Sequence, residues 1–166
     1  MCIRDRGGTV VTVAALRVAS LESVHCRFGA GAFSIVQGYS VLTSASAHGA
    51  EGVRCVSPMA LPTGWSALEL ESYGSTLTSS AQFYVHGVLH VSEVVPSSGP
   101  VAGGTRVSVL GASSFREAAT LRCRFEESSA TVVARFVASD QLECATPVQS
   151  GAGSRRVEVS MNAQQY

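Results

Sequence analysis

The stretch Val94-Val95-Pro96-Ser97-Ser98-Gly99-Pro100-Val101-Ala102-Gly103-Gly104-Thr105-Arg106-Val107-Ser108-Val109 decides the fold. Apolar positions flank a Pro/Ser/Gly segment, the pattern of two strands joined by a corner. Pro96 and Pro100 interrupt pairing, Gly99 is expected to take a positive φ, and Gly103-Gly104 lets the backbone turn tightly into the next strand. Downstream, Leu121, Cys123 and Phe125 alternate with Arg122 and Arg124. Leu142 and Cys144 likewise flank Glu143, and Val157 and Val159 flank Glu158. Period two is the signature of half-buried strands, and it turns the cysteines toward the core.

Working outward, the same words recur earlier in the chain. Gly7-Gly8-Thr9 precedes Val10-Val11-Thr12-Val13 as Gly103-Gly104-Thr105 precedes Arg106-Val107-Ser108-Val109, 96 positions on. His25-Cys26-Arg27-Phe28 returns as Arg122-Cys123-Arg124-Phe125 at an offset of 97. Arg54-Cys55-Val56-Ser57-Pro58 returns as Glu143-Cys144-Ala145-Thr146-Pro147, and Leu68-Glu69-Leu70 as Val157-Glu158-Val159, both at 89. The chain therefore reads as a duplication. The falling offset assigns the first copy extra residues between Cys26 and Cys55, in a surface loop over Thr43 to Gly52.

This organisation predicts an all-β chain of two tandem immunoglobulin-like sandwiches, over 7–86 and 87–166. Residues 1–6 read as a translated adaptor sequence. Other expected strands are Val10 to Leu16, Gln82 to Val85, Val88 to Pro96 and Val132 to Val137. Turns are expected at Gly111, Ser128-Ser129 and Ser150 to Gly153, and a single helical turn over Phe115 to Thr120. Each sandwich is expected to lack one terminal strand, the first of copy one and the last of copy two, and so to be less stable than a complete array.

Composition supports the β reading: 46% hydrophobic, 14% charged and 16 glycines among many Ser, Thr and Val. Twelve basic residues balance twelve acidic ones. No long-range field then gathers nucleic acid or anionic lipid, and copy two, with seven Arg against seven acidic residues, has no phosphate-neutralising surplus. All the basic residues are Arg, which reads as codon bias. No apolar run approaches the ~18 residues needed to cross a bilayer, so no direct membrane insertion is expected of these residues.

The corner motif, followed by Cys123-Arg124-Phe125 and Cys144-Ala145-Thr146-Pro147, resembles the IPT/TIG family, immunoglobulin-like domains of plexins, related surface receptors, fibrocystin-like proteins and some transcription factors. The likeness covers residues 87–166 well and 7–86 more loosely, since copy one lacks the corner and carries the enlarged loop. Setting Cys2 aside, four cysteines allow three connectivities. Repetition, and the intradomain bridge that the resemblance implies, favour Cys26 with Cys55 and Cys123 with Cys144. The alternative is buried free thiols in an intracellular protein.

Chemistry finds little footing. No G-x-S-x-G, H-E-x-x-H or Cys/His nucleophile arrangement occurs, and no Cys or His pair has zinc-ligand spacing, so no enzyme, metal or cofactor is expected. Gly29-Ala-Gly31 and Gly151-Ala-Gly153 read as turns rather than phosphate cradles. His25, His48, His86 and His90 are expected to face solvent, as are Glu69, Glu71, Glu126 and Glu127. Arg122, Arg124 and Arg135 are expected to align on one outward face with Glu143 close by, either as an ion-paired sheet surface or as a contact surface for protein or glycan.

The function expected is a non-catalytic interaction or spacer module in a larger cell-surface or secreted multi-repeat protein. Alternatives are an intracellular transcription factor, in which the domain mediates dimerisation or DNA contact, and an accessory module of a carbohydrate-active enzyme.

Overall fold

The computed structural model describes residues 7–14, 23–29, 34–42, 51–59, 61–77, 81–112, 114–126 and 131–166. Among these every regular element is a strand, and the chain divides into two compact units that part between His86 and Gly87.

The N-terminal unit comprises β1 (Val10–Ala14), β2 (Val24–Phe28), β3 (Ser34–Leu42), β4 (Glu51–Val56), β5 (Gly64–Ser72), β6 (Ser75–Thr76) and β7 (Ala81–Val85). They form one antiparallel sheet, ordered β1-β4-β3-β2-β5-β6, with β7 also paired to β5. β3 makes it a sandwich. Its first half pairs β2, as Cys26↔Val36, and its second half pairs β4, as Ser40↔Val53, so the sheet folds over along this strand. Val13, Val53 and Cys55 from one layer meet Val24, Cys26, Phe28, Leu68 and Leu70 from the other in a single core. Strict alternation supplies these residues: β2 buries Val24, Cys26 and Phe28, and β5 buries Ser66, Leu68, Leu70 and Ser72.

The C-terminal unit comprises β8 (Val91–Val95), β9 (Arg106–Gly111), β10 (Arg122–Phe125), β11 (Thr131–Val133), β12 (Arg135–Ala138), β13 (Gln141–Ala145) and β14 (Val157–Ser160). Two separate sheets, β11-β10-β14 and β12-β13-β9-β8, face each other across a core centred on Val109, Phe115, Leu121, Cys123, Phe125, Leu142 and Cys144.

Several expectations are corrected. Val132 to Val137 is two strands, not one: the chain leaves the β10 sheet after Val133 and joins the β13 sheet at Arg135. Between them Ala134 is buried and donates its N–H to the Leu121 carbonyl at 3.1 Å. Gly111 ends β9 instead of forming a turn, and Phe115 to Thr120 forms no helix because Phe115 is drawn into the core. The first strand of this unit is limited to Val91–Val95. Gly99 has no positive φ; what requires glycine there is Thr105, whose Oγ1 would lie 2.5 Å from an added Cβ. Residues 1–6, Leu16, residues 43–50, Glu127 and Ser128-Ser129 lie outside the described residues, and Glu51 and Gly52 belong to β4.

The two units pair their strands in one register. On β1 and β4, Val11 faces Cys55 and Val13 faces Val53; on β9 and β13, Val107 faces Cys144 and Val109 faces Leu142. β2 meets β5 as Cys26↔Leu70 and Phe28↔Leu68, and β10 meets β14 as Cys123↔Val159 and Phe125↔Val157. The agreement extends to single hydrogen bonds. Gly8 N–H donates to Ser57 O at 2.9 Å and Gly104 N–H to Thr146 O at 2.8 Å. The hydroxyls of Ser57 and Thr146 each accept the next backbone N–H, of Thr9 and Thr105, at 3.1 Å. Gly7 and Gly103, at φ 68° and 75°, hold these turns in a conformation that L side chains rarely adopt. Among the described residues β8 has no counterpart in the N-terminal unit, and β7 has none in the C-terminal unit.

Candidate interaction surface

Each unit is braced through its centre. Cys26 on β2 bonds Cys55 on β4, and Cys123 on β10 bonds Cys144 on β13, with Cα atoms 6.4 and 6.5 Å apart. All four are buried, so each bridge joins the two layers inside the core instead of closing a surface loop. Closing loops of 29 and 21 residues stabilises each unit by about 3 to 4 kcal/mol on the chain-entropy model. Rigid opposed sheets are the result, and contact surfaces must come from their outer faces and loops.

The three arginines singled out by sequence do not share a face. Arg122 and Arg124 lie on β10, whereas Arg135 lies on β12 in the opposite sheet, since the chain changes sheets at Ala134. Arg124 bonds Glu158 on the neighbouring strand, Nη2 to Oε2 at 2.7 Å, and its guanidinium lies 4.2 Å from the ring centroid of Tyr166. Arg122 turns Nη1 onto the carbonyls of Ala119 and Leu121. Arg135 donates Nε to Glu143 at 2.7 Å, its Nη2 also contacts that carboxylate, and Arg106 approaches the same Glu143 at 3.7 Å. Glu143 is thus close to Arg135 as expected, and the two sheets present separate ion-paired surfaces.

On the N-terminal unit the counterpart of the Arg124–Glu158 pair is Arg27 with Glu69 and Glu71, at 3.7 and 3.4 Å. These carboxylates, expected to be simply solvated, are half-buried partners of an arginine. On the same outer face Trp65 lies directly opposite Tyr84, with centroids 5.1 Å apart in an edge-on arrangement, and Trp65 is 63% exposed. Sequence reasoning missed this pair, although its signal was present: Trp65 and Tyr84 each occupy the outward phase of an alternating strand. His25 and His86 are half-buried and His90 is exposed, while His48 lies outside the described residues.

Among the described residues no group of three or more His, Cys, Asp or Glu side chains is placed to hold a metal, and no helix is long and apolar enough to cross a membrane.

Facing antiparallel sheets joined by a buried disulfide define an immunoglobulin-like sandwich module. The IPT/TIG domain model matches residues 89–166, and the chain carries an IPT/TIG domain there. Two solved structures of the plexin A4 full extracellular region are similar in fold. One, covering domains 1 to 8, is 20% identical with a TM-score of 0.56 over 96% of this chain and 16% of that one. The other, covering domains 1 to 10, is 12% identical with a TM-score of 0.61 over 98% of this chain and 14% of that one. The chain therefore spans about a sixth of the length of those structures. No curated protein matches it.

Proposed function

We propose that this chain is a non-catalytic extracellular interaction or spacer module of a larger cell-surface or secreted protein, and that its N-terminal unit is a second IPT/TIG copy. The observation that carries the location is the pair of fully buried intersheet disulfides, one in each unit. Such bridges form and persist in oxidising compartments, and reducing cytosol disfavours them. The second copy is supported by the common register, down to the Gly8/Gly104 and Ser57/Thr146 hydrogen bonds. The likeness of fold to the plexin A4 extracellular region agrees with a receptor-type setting.

The module would act by holding sheet faces rigidly for protein or glycan partners. The Trp65–Tyr84 face is the first choice for contact, because exposed aromatic rings carry a large share of binding energy at interfaces. A transcription-factor role is less well supported: Arg124 and Arg135 are already engaged by Glu158 and Glu143, leaving little free positive charge for phosphate. Peptide mapping under non-reducing conditions, on protein from its native source, tests the setting. Linked peptides containing Cys26 with Cys55 and Cys123 with Cys144 are expected; four free thiols at these positions would overturn the extracellular reading.

A further inference from the structure

The β5–β6 hairpin closes through a two-residue turn, Tyr73-Gly74, with Ser72 opposite Ser75 at its base. Both central residues have positive φ, 49° at Tyr73 and 76° at Gly74, the type I′ pattern that favours asparagine, aspartate or glycine. A bulky side chain is unfavourable in that conformation, and no contact compensates Tyr73 for adopting it. It is 73% exposed, with no ring or hydrogen-bond partner among the described residues. The hairpin beneath it is anchored: the Ser72 hydroxyl donates to the Ser23 carbonyl and Leu77 N–H to the Leu70 carbonyl, each at 2.7 Å. Residues 73–77 are all exposed, and a Cβ added at Gly74 would meet nothing within 4 Å. Neither turn chemistry nor core packing accounts for a tyrosine held out on this fixed stalk, and an outlier of that kind points to function.

The surroundings of Tyr73 in sequence narrow the function. Of the four tyrosines it alone has acidic residues within five positions, Glu69 and Glu71. Both lie on the outward phase of β5, beside Arg27. The other described tyrosines are ill placed for chemistry at the phenol. Tyr84 stands against Trp65, and Tyr166 lies under the Arg124 guanidinium with its hydroxyl buried.

We propose that Tyr73 is a site of tyrosine O-sulfation. The inference rests on the extracellular reading above, which sends the chain through the secretory route, where an adenosine phosphosulfate serves as sulfuryl donor. The phenol oxygen attacks the donor sulfur, the bond from sulfur to the bridging phosphate oxygen breaks, and the phenolic proton passes to a base of the transferase. Nothing is oxidised or reduced. An enzyme that binds so anionic a donor presents a basic cleft, to which Glu69 and Glu71 are complementary. Ser72, Gly74 and Ser75 set no bulky side chain beside the phenol. The product is a fixed negative charge at the hairpin tip, complementary to a basic partner surface.

The test incubates the 166-residue chain, bridges intact, with a protein-tyrosine sulfotransferase and the adenosine phosphosulfate donor, and maps the peptides by mass spectrometry. One sulfuryl group is expected on Tyr73 and none on Tyr39, Tyr84 or Tyr166, and Tyr73→Phe should take up none. Glu69→Gln with Glu71→Gln should slow uptake at least about tenfold. No uptake by the unaltered chain, uptake at another tyrosine instead, or an unchanged rate after the two glutamate replacements overturns the proposal. Protein from its native source separates this proposal from the reading beneath it. Linked cysteine peptides together with an unmodified Tyr73 overturn only the sulfation, whereas four free thiols overturn both. A phosphatase-sensitive group on Tyr73 also overturns it, since that group would be phosphoryl.

Discussion

The two units fill one core plan with exchanged residues. In the N-terminal unit, β2 and β4 supply Val24 and Val53 while β5 supplies Leu68 and Leu70. At the counterpart positions of the C-terminal unit, β10 is preceded by Leu121, β13 supplies Leu142, and β14 supplies Val157 and Val159. Two valines and two leucines occupy these four positions in both units, with valine and leucine exchanged at each position. Cys26 and Cys123, Phe28 and Phe125, and Val13 and Val109 are the same residue type in both. What is held constant at these four positions is the summed side-chain volume beside the disulfide and the aromatic centre, as close packing favours when backbone register is kept.

The largest way to break this comparison is at the aromatic centre, where the units differ. Phe28→Ala is expected to cost about 3 to 5 kcal/mol, with up to about 1.5 kcal/mol of it from the edge-on contact with Phe83. Phe125→Ala should cost less by about that contact. Urea unfolding of the two variants, followed by probes in each unit, checks the difference; a larger loss for Phe125→Ala would contradict it.

Next come the bridges. Replacing Cys26 and Cys55 together with Ala should lower stability by about 3 to 4 kcal/mol, and replacing Cys123 and Cys144 should do nearly the same. Calorimetry on both double variants reads the two values. A loss under about 1 kcal/mol in either would mean that the bridge does not constrain its unit as this account requires.

The exchanged valines and leucines allow a finer test. Val53→Leu alone should overpack the N-terminal core at a cost of about 1 to 3 kcal/mol, while adding Leu70→Val should recover most of it by moving the core toward the arrangement of its neighbour. A double-mutant cycle measures the coupling, and simple additivity would count against a shared volume. The smallest effect is expected at the corner turns. Ser57→Ala and Thr146→Ala each remove a hydroxyl that accepts one backbone N–H, and each should cost about 1 kcal/mol in thermal unfolding. Sharply unequal costs would show that the two turns are not equivalent.

How far these features were legible in the sequence depends on whether they are local. Alternation around Cys123 and Cys144, repeated around Cys26 and Cys55, exposed the strands, the inward cysteines and the shared plan, because side-chain period and burial are tied within a single strand. The crossing at Ala134 was hidden: Val132-Val133-Ala134-Arg135-Phe136 has neither glycine nor proline, so nothing in it marks a change of sheet. That one hidden step grouped Arg135 with Arg122 and Arg124, since alternation gives the direction of a side chain but not the sheet that carries it. The Trp65–Tyr84 pair stayed unseen for a related reason. It depends on the register of β5 against β7, which two alternating strands do not specify until their turn geometry is known.

The central claim, that both units follow one register, is most directly tested by cross-strand NOEs on the 166-residue chain. The bonds from Gly29 N–H to Ala67 O and from Glu126 N–H to Arg156 O fix which pairs lie close without hydrogen bonding each other. Strong Hα–Hα contacts are therefore predicted for Phe28 with Leu68 and Cys26 with Leu70, and for Phe125 with Val157 and Cys123 with Val159. A one-residue slip in either unit, such as Cys26 facing Glu69 or Cys123 facing Glu158, would contradict the account.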